Sequence, residues 1–140
     1  MAIAQMNWGR MKYPADDPRL KEFLDSLHEV YRLAETHPGF LWRIPDEAIA
    51  AQLNTAGFDN RISATVSLWR SLDDLQDYTF KSLHGVYLKR TSEWFEPVDG
   101  PQLVVWDVKD NARPSFFEAW ERLQHLKQNG PSERGYGWKR

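Results

Sequence analysis

The sequence contains no cysteine among its 140 residues, so disulfide bonds, thiolate nucleophiles and cysteine-ligated metal centres are excluded. It has no apolar run near the roughly 20 residues that a membrane-spanning helix requires. Residues 1–10 lack the basic region followed by an apolar region that marks a secretory signal. We therefore expect a cytoplasmic protein with no membrane partner.

The sequence also has no excess of basic residues over acidic ones. Lysine and arginine number 18 against 20 acidic residues, which gives a formal net charge of −2. Such a balance provides no positive field for nucleic acid, and we expect no nucleic-acid partner. The chain also lacks a phosphate-cradling glycine loop and a serine nucleophile elbow. Hydrolases, kinases and nucleotide-dependent oxidoreductases are therefore set aside.

Aromatic residues are abundant: they form 14% of the chain, which has seven tryptophans. Four of these fall in or at the end of predicted strands: Trp8, Trp42, Trp69 and Trp106. One interpretation is a core built from large rings, which bury much area per residue. The other is an aromatic-lined pocket for a flat organic ligand.

Alternation of apolar and polar residues predicts four strands, namely Ala2 to Trp8, Phe40 to Ile44, Ile62 to Trp69 and Leu103 to Val108. Helix-start signals precede three amphipathic stretches: Asp17-Pro18, Ser71 with Asp74, and Ser115 with Glu118. We expect these helices to end near Thr36, near Trp94 to Pro97, and at Asn129-Gly130. The predicted order is β-α-β-β-α-β with an appended C-terminal helix. It indicates one α+β domain over residues 1–140, with the ferredoxin-like arrangement.

Two further segments are predicted less regularly. The connection from Pro45 to Asn60 is expected to hold one helical turn around Glu47 to Leu53, and its length suggests a lid or a binding loop. The tail from Ser132 to Arg140 is expected either to add an edge strand or to stay mobile.

The fourth predicted strand is apolar on both sides, which indicates that both faces of the sheet are covered. Helices would cover one face. The simplest cover for the other is a second copy of the sheet, so we expect a homodimer.

Short motifs are spread along the chain in a fixed order: Pro38-Gly39-Phe40-Leu41-Trp42-Arg43, Ser67-Leu68-Trp69, Ser82-Leu83-His84-Gly85, Glu93-Trp94-Phe95-Glu96-Pro97 and Arg113-Pro114. Together they resemble the bacterial domain-of-unknown-function family numbered 3291. That family is placed in the dimeric α/β-barrel superfamily, alongside the antibiotic-biosynthesis monooxygenases. The resemblance implies a dimeric α/β barrel with a ligand between the helices and the sheet of each protomer.

The superfamily contains oxygenases that use neither metal nor flavin, proteins that degrade or use haem, and enzymes of cyclisation or dehydration. In some haem-binding members a histidine on the second helix is the iron ligand, and His84 lies on the corresponding predicted helix. The unperturbed pKa of histidine lies near neutrality, so His84 is a candidate general acid or base as well. The plainer alternative is a buried histidine that is hydrogen-bonded to a neighbour.

Further candidates for substrate binding surround this helix. Phe80 and Tyr87 share the predicted stripe with His84, and Tyr87 is a candidate proton donor. Thr65 and Ser67 lie on the same face of the third strand as Trp69, which suits a cavity floor. The alternative for that polar row is a surface turned to solvent or to a second copy.

Trp69 and Trp106 would form stacking walls of the pocket if both point towards the helices; otherwise they are core residues. Arg43 is a candidate partner for a ligand carboxylate, with an ion pair to Glu93 or Asp107 as the alternative.

Three functions remain open from the sequence. The first is a cofactor-independent, monooxygenase-like or isomerase/cyclase-like enzyme acting on a small hydrophobic or aromatic molecule, including natural products, with His84 as acid/base. The second is a haem-binding protein or haem enzyme with His84 as the iron ligand. The third is a non-catalytic small-molecule-binding protein.

Overall fold

A computed structural model describes residues 1–81 and 89–138. Its strands are β1 (Ala2–Arg10), β2 (Phe40–Arg43), β3 (Ile62–Trp69) and β4 (Leu103–Val108). They form an antiparallel sheet in the order β2-β3-β1-β4, which is consistent with the ferredoxin-like fold. The predicted α+β class and the four predicted strands are confirmed.

The described helices are α1 (Lys21–Glu35), α2 (Asp46–Thr55), α3 (Leu72–Lys81), α4 (Thr91–Trp94) and α5 (Phe116–Asn129). A short 3-10 turn, Pro18–Leu20, precedes α1. The predicted caps are present, since Asp17, Ser71 and Ser115 each accept a hydrogen bond from a backbone N–H two or three residues later. Of these helices in residues 1–81 and 89–138, none is long and apolar enough to cross a bilayer.

The prediction of one helix from Ser71 to the region of Trp94 is wrong. Lys89 and Arg90 form a turn, α4 is four residues long, and Phe95 is already extended. The predicted aromatic stripe is divided as well, because Phe80 is 52% exposed whereas Trp94 is 3% exposed. Pro97 explains why the segment cannot stay helical beyond α4. It does not predict the turn at Lys89 and Arg90, which precedes α4.

One face of the sheet, here called the α5 face, packs against α5 and α2. Its core includes Met6, Leu68, Val104 and Trp106 from the strands, with Phe116, Ala119 and Leu123 from α5. Ile49 and Leu53 of α2 pack against the same core. The connection between β2 and β3 therefore holds a ten-residue helix that covers the core, which corrects the single turn predicted there, while its role as a lid or binding loop stays a prediction.

The opposite face, here called the α1 face, packs against α1 and α3. Val30 and Ala34 of α1 and Leu75 and Tyr78 of α3 contact Ile3, Trp69 and Val105. Both faces are thus covered, as the apolar fourth strand indicates, but α2 and α5 of the same chain supply the second cover. The sequence argument for a second copy loses its basis, and the homodimer stays a prediction.

The C-terminal tail pairs with the free edge of β4 at a single residue, Tyr136. Tyr136 and Val105 exchange two backbone hydrogen bonds of 2.8 Å each. The tyrosine hydroxyl also donates to a carboxylate oxygen of Asp107 at 2.8 Å. The edge-strand alternative for the tail is therefore realised as a single bridge.

Candidate functional site

Four polar side chains form a row on the α1 face, here called the polar floor: Gln5, Asn7, Thr65 and Ser67. The strand register pairs Gln5 with Ser67 and Asn7 with Thr65. Gln5 Nε2 donates to Ser67 Oγ at 2.7 Å and to Thr65 Oγ1 at 3.4 Å. Asn7 Nδ2 donates to Gln5 Oε1 at 3.0 Å. The structure thus brings the predicted pair Thr65 and Ser67 into one hydrogen-bond network.

The polar floor separates two apolar clusters on the same face of the sheet. At one end Trp69 packs with Ile3 and Tyr78, and at the other Phe95 and Phe23 meet edge-on with ring centroids 5.1 Å apart. Gly9 allows this second contact, because a Cβ there would lie 2.7 Å from the Phe95 ring. The stretch of β1 between the ends, from Ile3 to Gly9, is about 20 Å long at ~3.3 Å per residue.

The exposure of Asn7 shows that the floor is open to solvent. Asn7 lies in β1, a central strand of the sheet, on the face that α1 and α3 cover. A residue in such a place is normally buried, yet Asn7 is exposed while Gln5, two residues earlier, is 3% exposed. The floor therefore passes from a buried end at Ser67 to an exposed end at Asn7.

Trp69 closes the buried end of the polar floor. Its indole is 1% exposed and its Nε1 donates to Ser67 Oγ at 2.9 Å. The ring stacks on Tyr78 at 5.1 Å between centroids, and the tyrosine hydroxyl donates to the carbonyl of Val30 at 3.0 Å. Trp69 is thus a core residue at the end of the floor, and its role as a wall of a ligand pocket stays a prediction.

Two tyrosines at this end are held neutral. Burial raises the pKa of Tyr78, and it also raises the pKa of Tyr31, with a further contribution from the Asp46 carboxylate. In the unfolded chain both hydroxyls would ionise near the ordinary pKa of about 10. Their contribution to stability is therefore fully present below about pH 10 and falls as the pH rises above it.

We expect at least two tyrosines, Tyr31 and Tyr78, to ionise above the ordinary range when native protein is titrated spectrophotometrically at 295 nm. Tyr78→Phe should remove one of these late-ionising groups and leave the other. A native titration in which every tyrosine ionises near pH 10 would contradict this prediction.

Arg43 lies beside the floor, since β2 pairs it with Ser67. Its Nη1 contacts an oxygen of Asp46 at 2.7 Å, and its Nε lies 3.5 Å from Glu35, near enough for an ion pair but outside hydrogen-bond geometry. Burial lowers the pKa of Arg43, but the hydrogen bond and charge of Asp46 and the charge of Glu35 outweigh it, so the pKa is raised overall. The predicted partners Glu93 and Asp107 are wrong, because Arg43 pairs with Asp46 and Glu35, whereas Glu93 pairs with Arg90.

Trp106 faces away from the polar floor. Because Ala4 pairs with both Trp106 and Leu68, these side chains lie on the α5 face, whereas Trp69 pairs with Ile3 on the α1 face. Trp106 is 1% exposed under the guanidinium of Arg122, whose carbon is 5.0 Å from the ring centroid. Trp69 and Trp106 each face helices, but different ones, so they are not two walls of one pocket.

Three predicted site residues remain, namely Phe80, His84 and Tyr87. Phe80, at the C-terminal end of α3, packs against Trp138 with 5.0 Å between ring centroids. His84 and Tyr87 lie outside the described residues. Within residues 1–81 and 89–138, no three histidine, aspartate or glutamate side chains gather as a metal site would require.

The sequence analysis missed Gln5 and Asn7 as members of the site. A signal was present, because both polar residues fall on one side of an otherwise apolar strand, AIAQMNW. In a central strand covered by helices, such residues either satisfy one another or face a cavity. Here Gln5 and Asn7 hydrogen-bond to each other, and Asn7 is also exposed to solvent.

Comparisons with known proteins bear on the family alone. No curated protein and no solved structure matches the chain. One family model matches nearly its whole length, from residue 2 to residue 140. The chain therefore belongs to the family described as Domain of unknown function (DUF3291).

Proposed function

We propose that the polar floor is the base of a pocket for a small, largely apolar molecule that carries one polar group. The observation that supports this most directly is the exposure of Asn7 in a central, helix-covered strand. The aromatic ends at Trp69 and at Phe95 suit a flat ring system, and the hydrogen-bonding groups between them suit its polar substituent.

The proposal extends to the class of reaction. A pocket of this kind matches a cofactor-independent enzyme of the monooxygenase-like or isomerase/cyclase-like type, in which the protein orients the substrate and excludes water. His84 would be the general acid or base, as the sequence predicts. The strand order β2-β3-β1-β4 supports membership of the dimeric α/β-barrel superfamily as part of the same proposal.

Occlusion of the open end tests the pocket. We expect equilibrium dialysis to show one equivalent of 2-acetylnaphthalene, a flat uncharged probe, bound per chain. Asn7→Trp places a large ring at the open end of the floor and should weaken binding at least ~10-fold, which corresponds to ~1.4 kcal/mol.

The matched control is Asn54→Trp, because Asn54 is an exposed asparagine of α2, on the other side of the sheet. This variant should bind the probe as the wild type does. Equal affinity of Asn7→Trp and wild type would place any bound probe elsewhere, and a wild type that binds no probe would contradict the pocket.

A further inference from the structure

We propose that the polar floor is a hydrogen-bond donor site, which selects a ligand presenting an acceptor oxygen such as a ketone, a quinone carbonyl or a phenolate. This inference rests on the proposed pocket and specifies the chemistry of the molecule that it binds. It is carried by the direction of the hydrogen bonds around Ser67.

A serine hydroxyl has two acceptor lone pairs and one hydrogen to donate. Ser67 Oγ accepts from Gln5 Nε2 at 2.7 Å and from Trp69 Nε1 at 2.9 Å. The indole N–H can only donate, so one of these two directions is fixed by chemistry. Both lone pairs are thus occupied, and the hydroxyl hydrogen is the group that can still form a hydrogen bond.

On its other side the Gln5 amide is oriented in the same sense. Asn7 Nδ2 donates to Gln5 Oε1 at 3.0 Å, which leaves the Gln5 NH2 group to face the two hydroxyls of β3. Thr65 Oγ1 therefore also accepts from Gln5, at 3.4 Å, and keeps its own hydrogen for another partner. One buried amide thus turns two neighbouring hydroxyls into donors.

Because Ser67 is buried, its hydroxyl hydrogen has little access to water as an acceptor. Ser67 is 7% exposed and Gln5 is 3% exposed, so bulk water has little access to either group. Among residues 1–81 and 89–138, no acceptor for the Ser67 hydroxyl hydrogen is recorded. A buried donor without an acceptor costs free energy, and an acceptor oxygen on a ligand removes that cost.

The neighbouring charge fits the same ligand. Arg43 is the cross-strand partner of Ser67, and its guanidinium is shared between Asp46 and Glu35. Two carboxylates face this one guanidinium, so Arg43 presents no uncompensated positive charge to the floor. The donors at the floor itself are therefore neutral hydroxyls, which recognise a carbonyl oxygen directly and an oxyanion more strongly.

The test compares two probes of the same shape, 2-acetylnaphthalene and 2-isopropylnaphthalene, of which only the first carries an acceptor oxygen. We expect wild-type protein to bind the ketone at least ~10-fold more tightly than the hydrocarbon in equilibrium dialysis. Ser67→Ala, which removes the more buried of the two donors, should remove most of this preference and leave the affinity for 2-isopropylnaphthalene unchanged, which also shows that the variant is folded.

A second variant keeps the test independent of the stability of Ser67→Ala. Gln5→Glu replaces the donating NH2 with an acceptor at pH 8, so the two hydroxyls should turn towards residue 5 and the preference should disappear. Ser63→Ala is the matched control, because Ser63 lies on the same face of β3 but outside the Gln5 network. It should retain the wild-type preference.

The possible failures are distinguishable. Equal affinity of wild-type protein for both probes would overturn the donor floor and leave the pocket standing. A preference that persists in both Ser67→Ala and Gln5→Glu would overturn the assignment to these residues. If neither probe binds the wild type, the proposed pocket itself is overturned, and the donor floor with it.

Discussion

Phe116→Ala is expected to lower the free energy of unfolding by about 3–5 kcal/mol, the range for removing a large buried ring. Phe116 is fully buried at the start of α5, where its ring meets Phe58 edge-on at 5.6 Å and stacks near Trp120 at 5.8 Å. Its side chain joins α5 to the sheet and to the segment after α2. Alanine would leave a cavity where these elements meet.

The next residue provides a matched control. Phe117 is 42% exposed, with its ring centroid 6.3 Å from that of Phe116, so Phe117→Ala removes the same atoms from a largely solvated position. We expect it to cost no more than about 0.5–1 kcal/mol. Urea denaturation followed by far-ultraviolet circular dichroism measures both changes, and similar midpoint shifts for the two variants would contradict the packing described for α5.

The strands and the helix starts could be predicted because their signals are local. Alternation along Ile62–Trp69 and the side-chain caps at Asp17, Ser71 and Ser115 depend on residues within a few positions of one another. The helix α2 was underestimated because its apolar residues are mostly alanines and follow the helical period only weakly. It is stabilised by packing of Ile49 and Leu53 against α5, which no local pattern reveals.

The candidate site was predictable in part for the same reason. Alternation places Thr65, Ser67 and Trp69 on one face, and the structure agrees. The face on which Trp106 lies relative to Trp69 depends on the register between β1 and its two neighbours, which a single sequence does not specify. The same register joins Gln5 to Ser67 across 62 positions of the chain.

Trp69 and Trp106 lie on opposite faces of the sheet, and substitutions of the two residues can test which face binds the probe. Trp69→Ala and Trp106→Ala should each lower the free energy of unfolding by about 3–5 kcal/mol, because each indole is 1% exposed and fills its own core. Stability alone will not separate them. Binding of 2-acetylnaphthalene should separate the two residues. Trp69 forms the end wall of the polar floor and orients Ser67, whereas Trp106 lies beneath α5.

We therefore expect Trp69→Phe, which keeps a ring but loses the N–H donor, to weaken 2-acetylnaphthalene binding at least ~10-fold. Trp106→Phe should bind the probe as the wild type does, since the Trp106 Nε1 has no hydrogen-bond partner among residues 1–81 and 89–138 and the ring faces the opposite side of the sheet. Phenylalanine keeps both variants folded enough for equilibrium dialysis. The opposite result, with binding sensitive to Trp106 and indifferent to Trp69, would move the pocket to the α5 face, where Trp8, Phe58 and Trp120 form an aromatic cluster.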